Sequence, residues 1–94
     1  MRVKWLLIAL DDLHQAGQYI AQSSPAAATK VIDRISKATR MLCDQPGIGR
    51  PGRVMGTREL VVTGTSYIVP YRVVEDVVQI LRVLHSSRRW PNRF

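Results

Sequence analysis

The 94-residue sequence has one cysteine, Cys43, and two histidines. A single thiol excludes an internal disulfide, and these few residues lack the ligand spacing of a metal site. The sequence therefore predicts no metal and no cofactor, and it favours the reducing cytoplasm as the location. Cys43 follows Leu42 near the end of an apolar helical pattern and is interpreted as a core residue.

Long hydrophobic runs are also missing. The early apolar stretch from Trp5 to Leu10 is far shorter than the roughly 20 residues of a membrane span, and two aspartates follow it. We therefore expect no association with a membrane. At 94 residues the chain predicts a single small domain, residues 1–94.

Lysine does not occur after Lys37, although the chain carries 14 basic and 7 acidic residues, a formal net charge of +7. The basic residues of the second half are all arginines: Arg50, Arg53, Arg58, Arg72, Arg82, Arg88, Arg89 and Arg93. The planar fork of arginine suits phosphates and carboxylates. This charge indicates either simple solubility or an anionic partner, which is a nucleic acid or an acidic protein.

The first half of the chain predicts a strand followed by two helices. Alternation over residues 1–7 is typical of a strand, and the three- and four-residue apolar spacing over 8–45 predicts a helical hairpin. Ser24 and Pro25 mark the start of the second helix, as its N-cap and its first helical residue. Asp11 and Asp12, near the start of the first helix, are expected to oppose the helix dipole.

The second half predicts a sheet. Residues 46–57 form a glycine-rich loop, residues 58–85 read as a three-stranded antiparallel meander, and residues 86–94 form a basic tail. The last strand is expected to run from Val77 to Leu84, and Pro70 implies a bulge or an unpaired side in the middle strand. The order β-α-α-β-β-β predicts a two-layer α+β domain with the first strand at the edge of the meander.

The ionisable residues leave two interpretations open. His85, where the last strand ends, has the type of side chain that serves as a general base, but a structural role is equally consistent with its position. Arginines beside Tyr71 and Trp90 suit phosphates and stacked bases. Alternatively, Glu59 neutralises Arg58, and Trp90 closes the end of the core.

Several segments in this order resemble the RelE/ParE superfamily of bacterial toxins, over nearly the whole chain. They are Trp5, Asp12-Leu13, Tyr19-Ile20, Gly49 to Gly52, Gly56 to Leu60, Tyr67 to Val73 and Ile80 to Pro91. Each segment is short and weak alone, but their shared order is specific.

The resemblance implies the toxin of a type II toxin-antitoxin module, of the kind that arrests growth and stabilises plasmids. Its partner is then a small antitoxin that lays an acidic C-terminal segment over the helical hairpin and sheet, and that alone contacts operator DNA. The positions expected to bind the antitoxin are Leu13, Tyr19, Ile20, Val31, Ile35 and Arg50.

The superfamily divides by target. RelE-like members cleave messenger RNA on the ribosome, whereas ParE-like members act on DNA gyrase. The absence of lysine after Lys37 favours the ParE-like branch, with a target-binding surface of Arg58, Arg72, Arg82, Arg88, Arg89 and Trp90. The alternative is an endoribonuclease with Glu59, Arg72 and His85 as its catalytic set, and a third hypothesis is an inactive toxin that serves as an antitoxin-binding co-repressor.

Overall fold

A computed structural model describes residues 1–94 as two helices packed on one six-stranded sheet. The elements in chain order are β1 (Arg2–Trp5), α1 (Leu7–Ala21), α2 (Pro25–Met41), β2 (Arg50–Pro51), β3 (Arg58–Val61), β4 (Tyr67–Val74), β5 (Val77–Ile80) and β6 (Leu84–His85). The predicted α+β class and order of elements are confirmed. Neither helix is long and apolar enough to cross a membrane.

The helical hairpin forms where the sequence pattern predicts it. The Ser24 side chain accepts a hydrogen bond of 3.1 Å from the backbone N–H of Ala27, and Pro25 opens α2. A capping hydroxyl of this kind satisfies one of the four free N–H groups at the start of a helix. The two helices therefore pack side by side with only a short break between them.

Five strands of the sheet follow the order β1-β5-β4-β3-β2, and the sixth strand, β6, pairs with β4. β1 runs parallel to β5, with Arg2 opposite Val77 and Trp5 opposite Ile80, and the chain between them passes through the helical hairpin and then β2, β3 and β4. β1 therefore pairs at the edge of the meander as predicted. β2, which lies inside the expected loop, pairs with β3 through only two residues and closes the other edge.

The core lies between the hairpin and the sheet. Ile35 and Leu42 from the helical side meet Val69, Tyr71 and Ile80 from the strands, and all five are completely buried. The expectation that Ile35 binds an antitoxin is therefore wrong, because its side chain has no exposed surface. Its position in the apolar stripe of α2 serves the packing of the hairpin on the sheet.

The last predicted strand is broken. Ile68 pairs with Leu84 and Tyr71 pairs with Ile80, so residues 69–70 of β4 face the three residues 81–83. The extra residue is the bulge that Pro70 implies, because proline has no N–H to donate to a neighbouring strand. The Pro70 carbonyl still accepts from the Leu81 N–H at 2.9 Å, but β5 has already ended and β6 begins only at Leu84.

Asp12 of α1 fills the gap left by this break. Its carboxylate accepts from Arg82 Nε at 2.7 Å, from Arg82 Nη2 at 3.0 Å and from the backbone N–H of Val83 at 3.0 Å. The bond to Asp12 is the main cause that raises the pKa of the Arg82 guanidinium. Asp12 lies beyond the first turn of α1, so its role as a helix-dipole partner is wrong, and it joins the helix to the sheet instead.

Cys43 is not a core residue. It is exposed just beyond α2, where its Sγ donates to the Met1 carbonyl oxygen at 2.6 Å. Leu42 beside it is fully buried, because consecutive residues in a helical turn face different directions.

Asp12→Ala is expected to lower the free energy of unfolding by about 2–3 kcal/mol, since it leaves the Arg82 charge and the Val83 N–H without their partner in a half-buried setting. Urea denaturation measures this loss. Asp11→Ala is the matched control, because Asp11 accepts only an exposed bond from Gln15 and its loss costs less than about 0.5 kcal/mol. Equal losses for the two variants would contradict the role given to Asp12.

Candidate functional site

The glycine-rich loop is held in place by two side chains of the sheet. The hydroxyl of Tyr71 donates to the Pro46 carbonyl at 2.7 Å and accepts from the Gly49 N–H at 2.9 Å, while the residue itself is completely buried. Arg58 Nη1 donates to the Gly49 carbonyl at 2.8 Å. Arg58, expected to bind the target, therefore anchors the loop.

Glu59 is buried, with 3% of its surface exposed, and its carboxylate is fully engaged. Arg50 donates to Oε1 from Nε at 3.1 Å and from Nη2 at 3.0 Å, and the backbone N–H of Arg53 donates to Oε2 at 2.8 Å. The alternative in which Glu59 neutralises Arg58 is wrong, because neighbours in a strand point to opposite faces. Arg50, expected to bind the antitoxin, is instead placed opposite Glu59 by the register of β2 on β3.

The basic tail is attached to this network through Trp90. The guanidinium carbon of Arg53 lies 3.7 Å from the Trp90 ring centroid, which is a close cation-π contact. Trp90 Nε1 also donates to the His85 carbonyl at 3.1 Å. Further along, Phe94 and Arg93 share a small surface cavity with Leu6 and Ile8. The tail therefore folds back on the domain.

His85 is oriented by the residues that follow it. Its Nδ1 accepts from the Ser87 N–H at 3.2 Å and lies 2.8 Å from the Ser87 hydroxyl. Because a backbone N–H only donates, Nδ1 is an acceptor and the neutral ring carries its proton on Nε2. The ring meets Tyr67 edge-on, with centroids 5.4 Å apart. Nε2 is thus arranged to donate a proton in a hydrogen bond rather than to take one.

The alternative catalytic set of Glu59, Arg72 and His85 is not assembled. His85 pairs with Tyr67, whereas Arg72 lies five residues further along β4, or about 17 Å at strand spacing, and on the opposite face. Arg72 Nε donates to Gln79 at 2.8 Å. Since Glu59 is engaged with the arginines of the loop, the three groups do not converge on one reacting atom.

A cleft of about 340 Å³ lies between α1, β6 and the tail. We call it the arginine cleft and define it by six of its lining residues, which are Tyr19, Tyr67, His85, Arg88, Arg89 and Trp90. The Arg88 guanidinium lies 5.3 Å from the Tyr19 ring centroid. Burial raises the pKa of the Tyr67 hydroxyl, and the nearby Arg88 charge opposes part of that rise. The cleft therefore combines positive charge with aromatic side chains.

The residues expected to bind the target are dispersed. Arg58 holds the loop, Arg82 is tied to Asp12, and Arg72 lies on the other side of the sheet from His85. Arg88, Arg89 and Trp90 lie together in the arginine cleft, whose lining also includes Arg82. The sequence alone could not show which of these arginines have partners inside the domain, because those partners come from distant parts of the chain.

The outer side of the hairpin carries a second, more open and more apolar groove of about 750 Å³. Its lining includes Leu10, Leu13, His14, Gly17 and Ile32. Of the residues expected to bind an antitoxin, Leu13 lies in this groove. The remaining helical positions are distributed differently: Val31 packs half-buried against the core, Ile20 is half-buried, and Tyr19 is 59% exposed in the arginine cleft.

Several residues of these surfaces were missed from the sequence. Tyr67 reads as an ordinary strand tyrosine, and Arg53 as one more loop arginine, until the fold places them in the cleft and over Trp90. A usable signal existed for the groove, since Leu10, Leu13 and Gly17 follow helical spacing on one side of α1. Only the pairing of the helices shows that this side faces outward.

Comparison with known proteins shows the family of this chain. The model of the family described as ParE toxin of type II toxin-antitoxin system, parDE, matches residues 3–90. The putative toxin Y4kP of Sinorhizobium fredii is 46% identical over 90 residues, which cover 96% of this chain and 93% of that protein. The toxin RelE2 of Caulobacter vibrioides is 37% identical over 87 residues, covering 93% and 97% of the two chains.

A solved structure is similar to the whole fold. It belongs to a chromosomal ParDE toxin-antitoxin system from P. aeruginosa and superposes with a TM-score of 0.80 at 31% identity, covering 90% of this chain and 95% of that one. The fold and the matched sequences together define a toxin of the RelE/ParE superfamily. Within it, the chain belongs to the ParE toxin family of type II toxin-antitoxin systems.

Gly49→Ala is expected to destabilise the protein by about 1–3 kcal/mol, because an added Cβ would lie 2.6 Å from the buried Tyr71 ring. Gly47→Ala is the matched control in the same loop, since nothing lies within 4 Å of its added Cβ. Thermal unfolding of the two variants measures the difference. A Gly47→Ala protein as unstable as Gly49→Ala would show that the Tyr71 contact does not hold the loop.

Proposed function

We propose that this toxin arrests growth by binding DNA gyrase, without a catalytic step of its own, and that a cognate antitoxin neutralises it. The observation that carries this proposal is the separation of Glu59 and Arg72 from His85 by the sheet. A general base needs a free acceptor and a nearby partner that stabilises the developing charge. His85 has its acceptor nitrogen engaged by Ser87, which supports a binding role over RNA cleavage.

The charge of the chain supports a negatively charged partner. Arg88 and Arg89 lie in the exposed tail without a carboxylate within 4 Å, whereas Arg50, Arg53 and Arg82 have one. Unpaired surface charge speeds association with an oppositely charged partner. The positive tail therefore suits both a DNA-bound enzyme and an acidic antitoxin segment.

The hairpin groove supports an antitoxin that binds through a helix. Leu10 is 45% exposed at its rim, and α1 also exposes 84% of Leu7 nearby. An amphipathic helix is a common occupant of an apolar groove of this kind. The similar P. aeruginosa structure comes from a two-component ParDE system, which supports a partner encoded beside this toxin.

Purified toxin, free of antitoxin, tests the target directly in two assays run in parallel. In a gyrase supercoiling assay we expect inhibition with trapped DNA-cleavage complexes, and in a programmed-ribosome assay we expect intact messenger RNA. Messenger RNA cut in the ribosomal A site, with gyrase unaffected, would establish the endoribonuclease instead. A protein inactive in both assays that still binds its antitoxin would establish the co-repressor.

His85→Ala separates binding from catalysis in whichever assay is positive. If His85 only lines a binding surface, we expect a change of less than about fivefold in the half-inhibitory concentration. Loss of a general base would reduce the rate about 10²- to 10⁴-fold. His14→Ala is the control, because His14 lies in the hairpin groove and away from the arginine cleft.

A further inference from the structure

A second basic cavity lies beside the face of the sheet that the helical hairpin leaves uncovered. Its volume is about 290 Å³, and its lining shares only Arg82 with the arginine cleft. Three arginines and four apolar residues line it. We call it the Arg93 pocket and define it by six of its lining residues, which are Leu6, Ile8, Arg72, Arg82, Arg93 and Phe94.

Lys4 extends the positive charge of the pocket along the uncovered face of the sheet. Lys4 lies opposite Gln79, and Gln79 lies opposite Arg72, so the three side chains point to the same side. Tyr71, the neighbour of Arg72 in β4, is completely buried in the core, which places Arg72 and Lys4 on the other face. Two strand spacings, or about 10 Å, separate Lys4 from Arg72.

The arginines of the pocket have N–H groups without acceptors. Arg72 uses only Nε, for its bond to Gln79, and both of its Nη groups remain free. Arg82 uses Nε and Nη2 for Asp12, which leaves Nη1. Arg93 forms no ion pair, and no Asp or Glu lines the pocket. The pocket is therefore a concave group of charged donors that lacks an acceptor.

An aromatic ring with a free face lies beside these donors. Phe94 is 42% exposed, and no guanidinium lies over its ring, in contrast to Tyr19 and Trp90 in the arginine cleft. A free ring next to arginine can stack an unpaired base while the guanidinium binds the adjacent phosphate. Leu6 and Ile8 extend the apolar surface beside the ring. The pocket thus has a part for the base and a part for the phosphate of a nucleotide.

The spacing of the charges favours a nucleic acid strand over a single phosphate. Lys4, about 10 Å from Arg72, does not reach a phosphate held inside the pocket. A nucleic acid carries a phosphate about every 3.4 Å of helix axis on each strand, so a strand with one phosphate in the pocket brings others past Lys4. Because stacking on Phe94 needs an unpaired base, the strand is single at this point.

We propose that the Arg93 pocket binds single-stranded DNA, with a backbone phosphate on Arg72 and Arg93 and the adjacent base on the ring of Phe94. This inference rests on the proposed function, because it identifies the ligand as DNA that gyrase opens while the toxin is bound. A contact with the opened strand stabilises the cleaved gyrase-DNA complex. Inhibition therefore depends on a direct contact between the toxin and DNA as well as on binding to gyrase.

A titration of the toxin into a fluorescein-labelled thymidine dodecanucleotide, followed by anisotropy, tests the pocket without gyrase. Arg72→Gln and Arg93→Gln are each expected to weaken binding at least about fivefold. Each is also expected to lower the slope of log Kd against log salt concentration by about 0.7, because one phosphate contact is lost. Phe94→Ala is expected to weaken binding at least about fivefold with the slope unchanged, because it removes stacking and no charge.

Two matched controls remove one charge elsewhere. Arg40→Gln changes an exposed position on α2, and Arg88→Gln changes the arginine cleft. We expect each to weaken binding less than about twofold. If either weakens it as much as Arg72→Gln, the DNA responds to net charge or lies in the arginine cleft, and the Arg93 pocket is not its site. Tighter binding of a uridine dodecanucleotide or of duplex DNA would overturn the choice of single-stranded DNA.

The gyrase supercoiling assay gives the second readout. We expect Arg72→Gln and Phe94→Ala to raise the half-inhibitory concentration at least about fivefold, and Arg40→Gln to leave it unchanged. If the first two variants bind the oligonucleotide weakly but inhibit gyrase as well as the wild type, the role of the pocket in inhibition is contradicted. If the wild type does not inhibit gyrase, the proposed function fails, and the oligonucleotide titration alone then decides the pocket.

Discussion

The structure at the cleft end of this protein depends on the contacts of the Asp12 carboxylate. Pro70 has no N–H to offer a neighbouring strand, so the ladder between β4 and the last segment of the chain is interrupted at residues 81–83. A strand break inside a domain leaves polar backbone groups that require partners. Asp12 accepts from the Val83 N–H and from the Arg82 side chain, which joins α1 to the point where the chain resumes as β6.

The arginines of the second half differ in whether they have partners inside the domain. Arg50, Arg53, Arg58 and Arg82 make contacts within the domain, with Glu59, with the loop carbonyls or with Asp12. Arg72 also has a partner within the domain, since it donates to Gln79 on the neighbouring strand. In the tail that follows β6, Arg88 and Arg89 line the arginine cleft, beside aromatic rings of α1 and β4, and Arg93 lies in a separate cavity. More than half of the arginines of the second half therefore have partners within the domain, and the charge of Arg88 and Arg89 lies at one end of the sheet.

Local patterns in the sequence were sufficient for the elements whose causes are local. The Ser24 cap and the two helices expected from the apolar spacing both form as the sequence predicts. The end of β5 at Ile80 was not predictable, because it depends on Pro70 in another strand. The partners of Glu59 follow from the register of β2 on β3. The burial of Ile35 and the exposure of Tyr19 follow from how the hairpin lies on the sheet.

The exchange rate of the Val83 amide hydrogen tests the contact between Asp12 and the sheet most directly. We expect this N–H, bound to Asp12 at 3.0 Å, to exchange with solvent as slowly as the Leu81 N–H, which is bound to the Pro70 carbonyl of the neighbouring strand. Both amide hydrogens then exchange only when the domain unfolds. A Val83 amide that exchanges as fast as the exposed amides of the tail would contradict the claim that Asp12 holds the cleft end of the sheet together.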